Sequence, residues 1–509
     1  MKRIIGLIIV ISILMSVLSA CSGGEGDGGT TSKPDGSSAD TTTGSAGLIT
    51  ADVDPIDPAL EALDYENKTF VILSRGSAEQ NDKDFWAENE LWVDELTNDP
   101  VSDAVYNRNA FVCETLGLKE IKNEVAGATA ITEKVGVMVN SGDQTYDLVA
   151  ASIYYGSPMI TQGLMYNLRS NDIDTYLNPE NPWWAQYWIS QADMGDRLYC
   201  ITGAPALSLT RLMFVMYYNK DLGQKLKLEN LYEVVEEGRW TIDYLSELIP
   251  SLYLSLNGDD VRDSEDQYGL AINHYENADM FWSSFDMSMI TKDEDGWFEM
   301  DNSQKERISV AFEKVYSLIH ENVGTYDTGD TSGFDIARDM FASGTVLLAA
   351  LHLKYAESQQ FRNMQDEYGI IPGPKLDETQ KDYYTYAHDQ YSVFMIPITV
   401  ADPEMSGAVL ETMAYESYRS LQPVYYDMVL KGRYANDPES RRMLDIITTN
   451  FKMDPGWIYG ALLELPCAHV FRSLIYGEEK TFASSYAKVE KKLPALLKIM
   501  KQNILKFDF

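Results

Sequence analysis

One short stretch of the chain is dense in aromatic side chains. Residues 181–188, Asn-Pro-Trp-Trp-Ala-Gln-Tyr-Trp, hold four aromatic residues beside a proline. A sugar presents patches of C–H bonds on its ring faces and hydroxyl groups at its edge, so an aromatic plane with polar neighbours recognises it well. Trp183 and Trp184 are therefore candidate ligand-binding residues, although a Pro-Trp-Trp run is equally suited to fixing a loop onto a hydrophobic core.

The sequence offers no constellation for catalysis or for metal binding. Its 78 Asp and Glu residues could supply the two carboxylates of a glycosidase, but a count says nothing without a defined separation. Motifs for a serine nucleophile, a zinc-binding helix and a phosphate-binding loop are absent from the sequence. Residues 293–296 fail as a calcium loop, because Thr291 and Asn302 stand at its first and twelfth positions, and they predict a hairpin turn instead. We expect no catalytic residue, no cofactor and no metal.

The first twenty residues have the pattern of a bacterial export signal. Lys2 and Arg3 precede an apolar run, Ile4 to Val17, that is too short for a comfortable membrane span. The junction Leu18-Ser19-Ala20-Cys21 resembles a bacterial lipobox, which implies that Cys21 carries the lipid; the alternative is a secreted protein with a chance cysteine. The Gly, Ser and Thr residues that follow predict a flexible tether over residues 21–64.

Composition limits the class of the remaining chain. A length of 509 residues allows two sizeable cores, and a net charge of −37 argues against a nucleic-acid partner. No apolar stretch of transmembrane length follows residue 20, so we expect a soluble body. Cys113, Cys200 and Cys467 are widely spaced, and either one disulfide with one thiol or three thiols is compatible with them. We favour buried thiols.

Candidate strands and helix caps position the remaining residues. Residues 212–217 are six consecutive apolar residues, as in a strand covered on both faces, and Asn219 follows them as a cap. Residues 69–74 predict another strand, and Arg75 and Glu79 lie just beyond it, where an α/β sheet opens its ligand crevice.

Three further stretches predict elements of secondary structure. Residues 146–152 predict a strand with Tyr154 and Tyr155 past its carboxyl end, although two tyrosines packed on a neighbouring helix are as good an interpretation. Thr241 predicts the cap of a helix, and Trp240 before it is interpreted as a structural staple. The tail from residue 488 onwards predicts an amphipathic helix.

Several of these stretches also resemble one known family. Tyr-Tyr-Asn-Lys-Asp-Leu at 217–222, Asp-Ala-Val-Tyr-Asn-Arg-Asn at 103–109, Gly-Arg-Trp-Thr-Ile-Asp-Tyr-Leu at 238–245 and Glu-Ser-Arg-Arg-Met-Leu-Asp-Ile-Ile at 439–447 are similar to segments of bacterial extracellular solute-binding proteins of ABC transporters, of the sugar-binding family 1 type. The resemblance covers residues 65 to 460.

The resemblance implies an α/β, two-lobed periplasmic-binding-protein-like fold, in which each lobe is a sheet flanked by helices and a hinge joins the lobes. The expected segments are the first lobe at 65–212 with a return part at 348–417, the second lobe at 213–347, and C-terminal helices at 418–509, mainly in the second lobe. It also implies four further ligand-binding candidates: Trp282, His352, His388 and Asp389.

The expected function is capture of a sugar or oligosaccharide between the lobes and its delivery to ABC permease subunits. The expected protein is a monomer, anchored through Cys21 on the extracytoplasmic face of the cell membrane. The alternative is a lipoprotein sensor or a glycan-degrading accessory protein.

Overall fold

The computed structural model describes residues 55–76, 87, 89–170, 173, 175–259, 261–329, 333–431, 438–477 and 481–507. The export signal, Cys21, most of the expected tether and the candidate Glu79 lie outside these residues. Statements about them remain expectations from the sequence.

In the part of the chain that the structure describes, eleven strands form two larger sheets and one hairpin. In chain order they are β1 Thr69–Arg75, β2 Glu120–Ala126, β3 Leu148–Ser152, β4 Phe214–Asn219, β5 Tyr268–Ile272, β6 Ile290–Lys292, β7 Phe298–Met300, β8 Thr325–Asp327, β9 Val346–His352, β10 Tyr368–Ile371 and β11 Ser392–Met395.

Most helices are short, and they flank the sheets. The α-helices up to β9 are Pro58–Glu61, Pro100–Leu116, Ala130–Ser141, Ile153–Thr161, Gln186–Ala192, Leu207–Arg211, Lys220–Lys225, Leu231–Glu236, Ile242–Leu248, Met280–Ser284, Lys305–Tyr316 and Gly333–Ala342. Those after β9 are Gln359–Asn363, Pro403–Glu416, Gln422–Lys431, Pro438–Thr449, Pro455–Ile458, Gly460–Leu463, Pro466–Val470, Arg472–Ile475 and Phe482–Lys506. Ile249–Leu252, Asn277–Asp279 and Leu353–Glu357 are 3₁₀ turns, and Ser317–Glu321 and Ser417–Leu421 are π-helical.

The first sheet has the order β11-β3-β1-β2 and defines the first lobe. β1 is parallel to both β2 and β3, so their carboxyl ends meet at one edge of the sheet. β11 runs antiparallel to β3, with Ser392 opposite Ser152, and this register brings the residues before β11 to the same edge.

The second sheet has the order β10-β4-β9-β5-β8 and defines the second lobe. β9, β5 and β8 are parallel, and β4 is antiparallel to β9 with Phe214 opposite His352. Every residue of β4 and β9 is buried, as the continuous apolar run at 212–217 predicts.

Local signals in the sequence set several element ends. The Asn219 side chain accepts a hydrogen bond from the Leu222 amide at 2.8 Å, and Thr241 accepts one from the Tyr244 amide at 3.1 Å. The helix Pro100–Leu116 begins one residue after its cap Asp99 and ends at Gly117, whose φ of 63° is the left-handed conformation that favours glycine. The predicted turn at 293–296 joins β6 and β7.

Two chain segments that pass between the lobes lie side by side. The Phe214 amide donates to the Tyr386 carbonyl at 2.9 Å, and the His388 amide donates to the Leu212 carbonyl at 3.1 Å. β10 and residues 348–352 of β9, which lie in the segment expected to return to the first lobe, belong to the second sheet, and the chain re-enters the first sheet at β11. The lobe boundaries themselves remain predictions.

Two other sequence expectations meet the structure here. Cys113, Cys200 and Cys467 are free thiols, and the latter two are buried, which agrees with the favoured interpretation. Across the residues that the structure describes, no helix combines the length and the apolar character needed to cross a bilayer.

Candidate functional site

The candidate site is a group of mostly buried side chains at which both sheets present the ends of their parallel strands. Arg75 ends β1, His352 ends β9, and Glu276 and Asp279 follow β5 in the chain. The segment that precedes β11 brings His388 and Asp389 between them. We call this group, together with Trp457 and Arg472, the crevice.

Arg75 ties the first sheet to the segment before β11. The Arg75 side chain is 5% exposed, and its Nη1 donates to the Gln390 carbonyl at 3.1 Å and to Gln390 Oε1 at 2.6 Å. Gln390 Nε2 in turn donates to Asp389 Oδ1 at 3.2 Å. The predicted candidates Arg75 and Asp389 are therefore neighbours in one polar chain.

His388 is the centre of the crevice and lies between two carboxylates. Its Nε2 is 3.6 Å from Glu276 Oε1, and its Nδ1 is 3.3 Å from Asp389 Oδ1. Burial disfavours the imidazolium, but Glu276 and Asp389 outweigh burial and raise the pKa of His388 above its usual value. Burial likewise works against the charged form of Glu276, but His388, Arg472 and Lys354 lower its pKa overall.

His352 has the opposite electrostatic environment, although its ring centroid is only 6.0 Å from that of His388. Burial, reinforced by the positive charges of Lys354 and His388, moves the pKa of His352 well below its usual value. Its ring lies 4.2 Å from Phe214 and 5.0 Å from Phe334 between centroids. One imidazole is thus held neutral beside another that is favoured as a cation.

A buried ion pair closes the crevice on the side of the C-terminal helices. Arg472 Nε donates to Asp279 Oδ1 at 3.0 Å, and Arg472 Nη2 bonds the other carboxylate oxygen. Burial raises the pKa of Asp279 to about 6, while the Arg472 charge opposes a further rise. The guanidinium lies over two rings, Trp457 and Tyr275, at 5.2 Å from each centroid.

Several buried polar atoms in and beside the crevice have no hydrogen-bond partner among the residues that the structure describes. They are Glu276 Oε2, Asn277 Oδ1, Trp282 Nε1 and Trp457 Nε1. Each such atom in a protein interior costs about 1–3 kcal/mol, so a group of them marks a place where a polar guest is favoured.

The two tryptophans predicted from aromatic density occupy a different environment. Trp183 Nε1 donates to Glu411 Oε1 at 3.1 Å and Trp184 Nε1 donates to Glu411 Oε2 at 3.0 Å. Asn181 also donates to this carboxylate, and burial raises the pKa of Glu411 to about 7 in spite of these donors. Trp184 is buried and Trp183 packs edge-on to Tyr415. We call this group the tryptophan anchor; a ligand-binding role for its rings remains a prediction.

Three other aromatic candidates lie outside the charged group. Tyr154 and Tyr155 begin the helix after β3 and pack edge-on to each other with centroids 5.2 Å apart, both half-buried. Trp282 is fully buried and packs against Phe471 at 6.0 Å. Their predicted contacts with a ligand remain predictions.

Sequence reasoning missed four members of the crevice: Glu276, Asp279, Trp457 and Arg472. Glu276 and Asp279 follow β5, so the rule that a crevice opens beyond strand ends could have found them. Trp457 lies in Asp454-Pro455-Gly456-Trp457, a capped turn whose aromatic residue carries no comparable signal.

The described residues hold no group of three or more His, Cys, Asp or Glu side chains arranged for a metal ion. A cavity of about 160 Å³ lies between the helix Phe482–Lys506 and the segment around Pro466, and it shares no lining residue with the crevice. The crevice is defined instead by its converging charged and aromatic groups.

Comparisons with known proteins place the fold. No protein-family profile matches this chain, and no curated protein matches its sequence. A cyclo/maltodextrin-binding protein solved with maltotetraose superposes with a TM-score of 0.53 at 12% identity, covering 87% of this chain and 98% of that one. UspC of M. tuberculosis gives 0.51 at 15% identity, with 84% and 100% covered. A sugar transporter from Rhizobium etli, in an open conformation, gives 0.50 at 12% identity, with 86% and 99% covered.

These likenesses confirm the expected α/β, two-lobed periplasmic-binding-protein-like fold. The alignment runs over almost the whole of each solved chain. At 12–15% identity the likeness is one of fold.

Proposed function

We propose that this protein is a lipid-anchored, extracytoplasmic solute-binding protein that captures a neutral sugar or oligosaccharide in the crevice and delivers it to an ABC permease. The observation that carries the proposal is the set of unpartnered buried polar atoms beside aromatic rings, chiefly Trp457 Nε1 and Glu276 Oε2. A sugar supplies hydroxyl groups for such atoms and C–H faces for such rings.

The charges of the crevice favour a neutral guest. Asp279 is paired with Arg472, and Glu276 and Asp389 are paired with His388. Each of these three carboxylates therefore has a positive group beside it, and Glu276 and Asp389 share the same imidazolium. A charged ligand would compete with these pairs, whereas hydroxyl groups can bond to the atoms that the pairs leave open.

The fold and the ends of the chain support the same role. The similar solved structures include one protein bound to maltotetraose and one described as a sugar transporter. The basic and apolar start, with the lipobox-like Cys21, supports anchoring outside the cytoplasm. A two-lobed receptor needs such a location to meet its ligand and a permease.

The electrostatics of the crevice favour binding over hydrolysis. A glycosidase needs a carboxylic acid whose pKa is raised so that it can protonate the leaving group. Glu276 has a lowered pKa, and Asp279, whose pKa is raised to about 6, is held by Arg472. Arg472 holds both oxygens of Asp279, so neither of these two carboxylates is free to protonate a leaving group.

Calorimetry tests the proposal directly. The purified full-length protein, in a detergent without a sugar headgroup, is titrated with neutral mono- and oligosaccharides and with sugar acids as charged controls. We expect one neutral series to bind at one site with a micromolar Kd, about −8 kcal/mol, and to be recovered intact. Failure of every saccharide to bind would contradict the proposal, and release of shorter sugars would favour the glycan-degrading alternative.

The anchor is tested separately. Cells fed a labelled fatty acid should incorporate the label into the wild-type protein and not into Cys21→Ser, because the thiol that carries the lipid is lost. Equal labelling of the two proteins would show that Cys21 is not the anchor.

A further inference from the structure

A row of rings leads from the crevice to the protein surface. Arg472 lies over the Tyr275 ring at 5.2 Å, Tyr275 packs edge-on to Tyr476 at 5.5 Å, and Tyr476 lies 5.2 Å from the His274 ring. Exposure rises along this row, from Trp457 at 0% to Tyr476 at 41%. Contacts through Arg472 and Tyr275 therefore connect the crevice to an exposed aromatic side chain.

The sheet places this row beside the crevice. His274 follows β5 by two residues, and Asp327 is the last residue of β8, the edge strand next to β5. Because β9, β5 and β8 are parallel, their carboxyl ends meet at one edge of the sheet. Moving along that edge from His352 to Asp327 leads from a buried position to a partly exposed one.

Polar groups border the exposed ring. His274 Nδ1 donates to Asp327 Oδ2 at 2.7 Å, and the Gly329 amide donates to Asp327 Oδ1 at 3.0 Å. This arrangement fixes the His274 ring and leaves its Nε2 as the second hydrogen-bonding atom of the imidazole. His320 Nε2 donates to the Ile475 carbonyl at 2.8 Å, which orients a second imidazole in the same group.

The arrangement suits one chemical class of ligand. A single exposed tyrosine needs no explanation on a protein surface. Tyr476, however, adjoins Tyr275 and His274, and the Asp327 carboxylate lies at the edge of the same group. These rings are tilted to one another, at 73° between Tyr275 and Tyr476 and 45° between Tyr476 and His274, so a single exposed tyrosine ring with polar groups at its margin is what a pyranose ring would meet.

We propose that Tyr476 and Tyr275, bordered by His274 and Asp327, form an outer subsite for a second sugar ring. The ligand is then an oligosaccharide of two or more rings, with one end in the crevice and the other on this platform. This inference rests on the proposed function and specifies the length of its ligand.

The test compares ligand length with a single substitution. Wild type and Tyr476→Ala are titrated with glucose, maltose, maltotriose and maltotetraose, and with equivalent series of galactose, mannose and xylose oligomers. In the series that binds, Tyr476→Ala should weaken binding of ligands of two or more rings about tenfold and leave the single sugar unchanged, because only longer ligands reach the platform. Tyr106→Ala is the matched control, since Tyr106 is 36% exposed on the helix Pro100–Leu116.

Each outcome decides between the two proposals. Equal affinity of wild type for single sugars and oligomers, or an unchanged oligomer affinity in Tyr476→Ala, overturns the outer subsite and leaves sugar binding intact. Absence of binding for every saccharide overturns the proposed function and the subsite with it. Thermal unfolding of both variants at the wild-type temperature shows that the comparison is between folded proteins.

Discussion

The tryptophan anchor and the crevice are two aromatic regions that differ in whether their buried indole N–H groups have hydrogen-bond partners. In the anchor, both indole N–H groups donate to Glu411, and Asn181 adds a third side-chain donor. In the crevice, Trp457 is equally buried, but its indole N–H has no partner among the described residues. We therefore base the proposed site on unmatched polar atoms that lie beside charged and aromatic groups, and not on aromatic density alone.

The two regions also treat their buried carboxylates differently. Glu411 accepts hydrogen bonds from neutral donors, but burial outweighs them, and the pKa of Glu411 rises to about 7. The pKa of Asp279 is raised to about 6 by burial, and this carboxylate is paired with Arg472. The pKa of Glu276 is lowered, because His388 and Arg472 outweigh the effect of its burial. The carboxylate of the anchor can therefore be neutralised by a proton, whereas the carboxylates of the crevice lie beside positive side chains.

Loss of the crevice ion pair should have the largest effect. Arg472→Met removes the cation while Asp279 stays buried, and we expect the free energy of unfolding at pH 7 to fall by about 3–5 kcal/mol. The loss should shrink near pH 5, where Asp279 takes up a proton. Urea denaturation at both pH values measures it, with Arg472→Met/Asp279→Asn as the control that should recover most of the stability. An equal loss in single and double variants would contradict the pairing.

The contribution of the tryptophan anchor to stability should depend on pH. The pKa of Glu411 is about 7 in the fold against 4.5 ordinarily, so the folded protein binds more protons than the unfolded chain between these values. The contribution of Glu411 to the free energy of unfolding is therefore fully present below about pH 4.5 and is lost as pH rises through 7. It amounts to about 3 kcal/mol.

Glu411→Gln tests that dependence. The variant should unfold with a flatter pH profile than wild type over this window, measured by denaturant titration at four or five pH values. The difference between the two profiles isolates Glu411 from the other carboxylates. Parallel profiles would show that Glu411 is not the titrating group.

Removal of the Trp457 indole should weaken sugar binding by a smaller amount. Trp457→Phe keeps an aromatic ring over Arg472 but loses the open N–H and part of the face, so we expect about a tenfold higher Kd for the saccharide. Calorimetry gives the change, and thermal unfolding checks that the variant remains folded. Wild-type affinity in a folded variant would remove Trp457 from the site.

The smallest effect is expected in the anchor. Trp183→Phe removes one donor to Glu411 while Asn181 and Trp184 remain, and the affinity for saccharide should change by less than about 0.5 kcal/mol. The same calorimetric titration measures this difference. A loss as large as that of Trp457→Phe would transfer the binding role to the anchor.

Much of the fold could be predicted because its signals are local. The apolar run that ends at Asn219, the cap at Thr241 and the stop at Gly117 each act within one turn of chain. Arg75, the candidate predicted from the end of a strand, also lies in the crevice, because the end of a strand is a property of the local sequence. His352 lies there too, but it follows only from the family resemblance.

The rest depends on partners that are distant in the chain. Trp184 and Glu411 are 227 residues apart, and only their meeting shows that the Trp-Trp run is held by a buried carboxylate. Arg472 and Asp279 are 193 residues apart, on elements that no local pattern brings together. The membership of β9 and β10 in the second sheet is likewise set by pairing with β4, which the sequence of neither strand specifies.

Hydrogen–deuterium exchange with a saturating saccharide tests the central claim most directly, because it locates the ligand without any substitution. We expect added protection at residues 273–279, 386–391 and 455–458, which line the crevice from both lobes. Protection confined to residues 178–188, around the tryptophan anchor, with the crevice segments unchanged, would contradict the account.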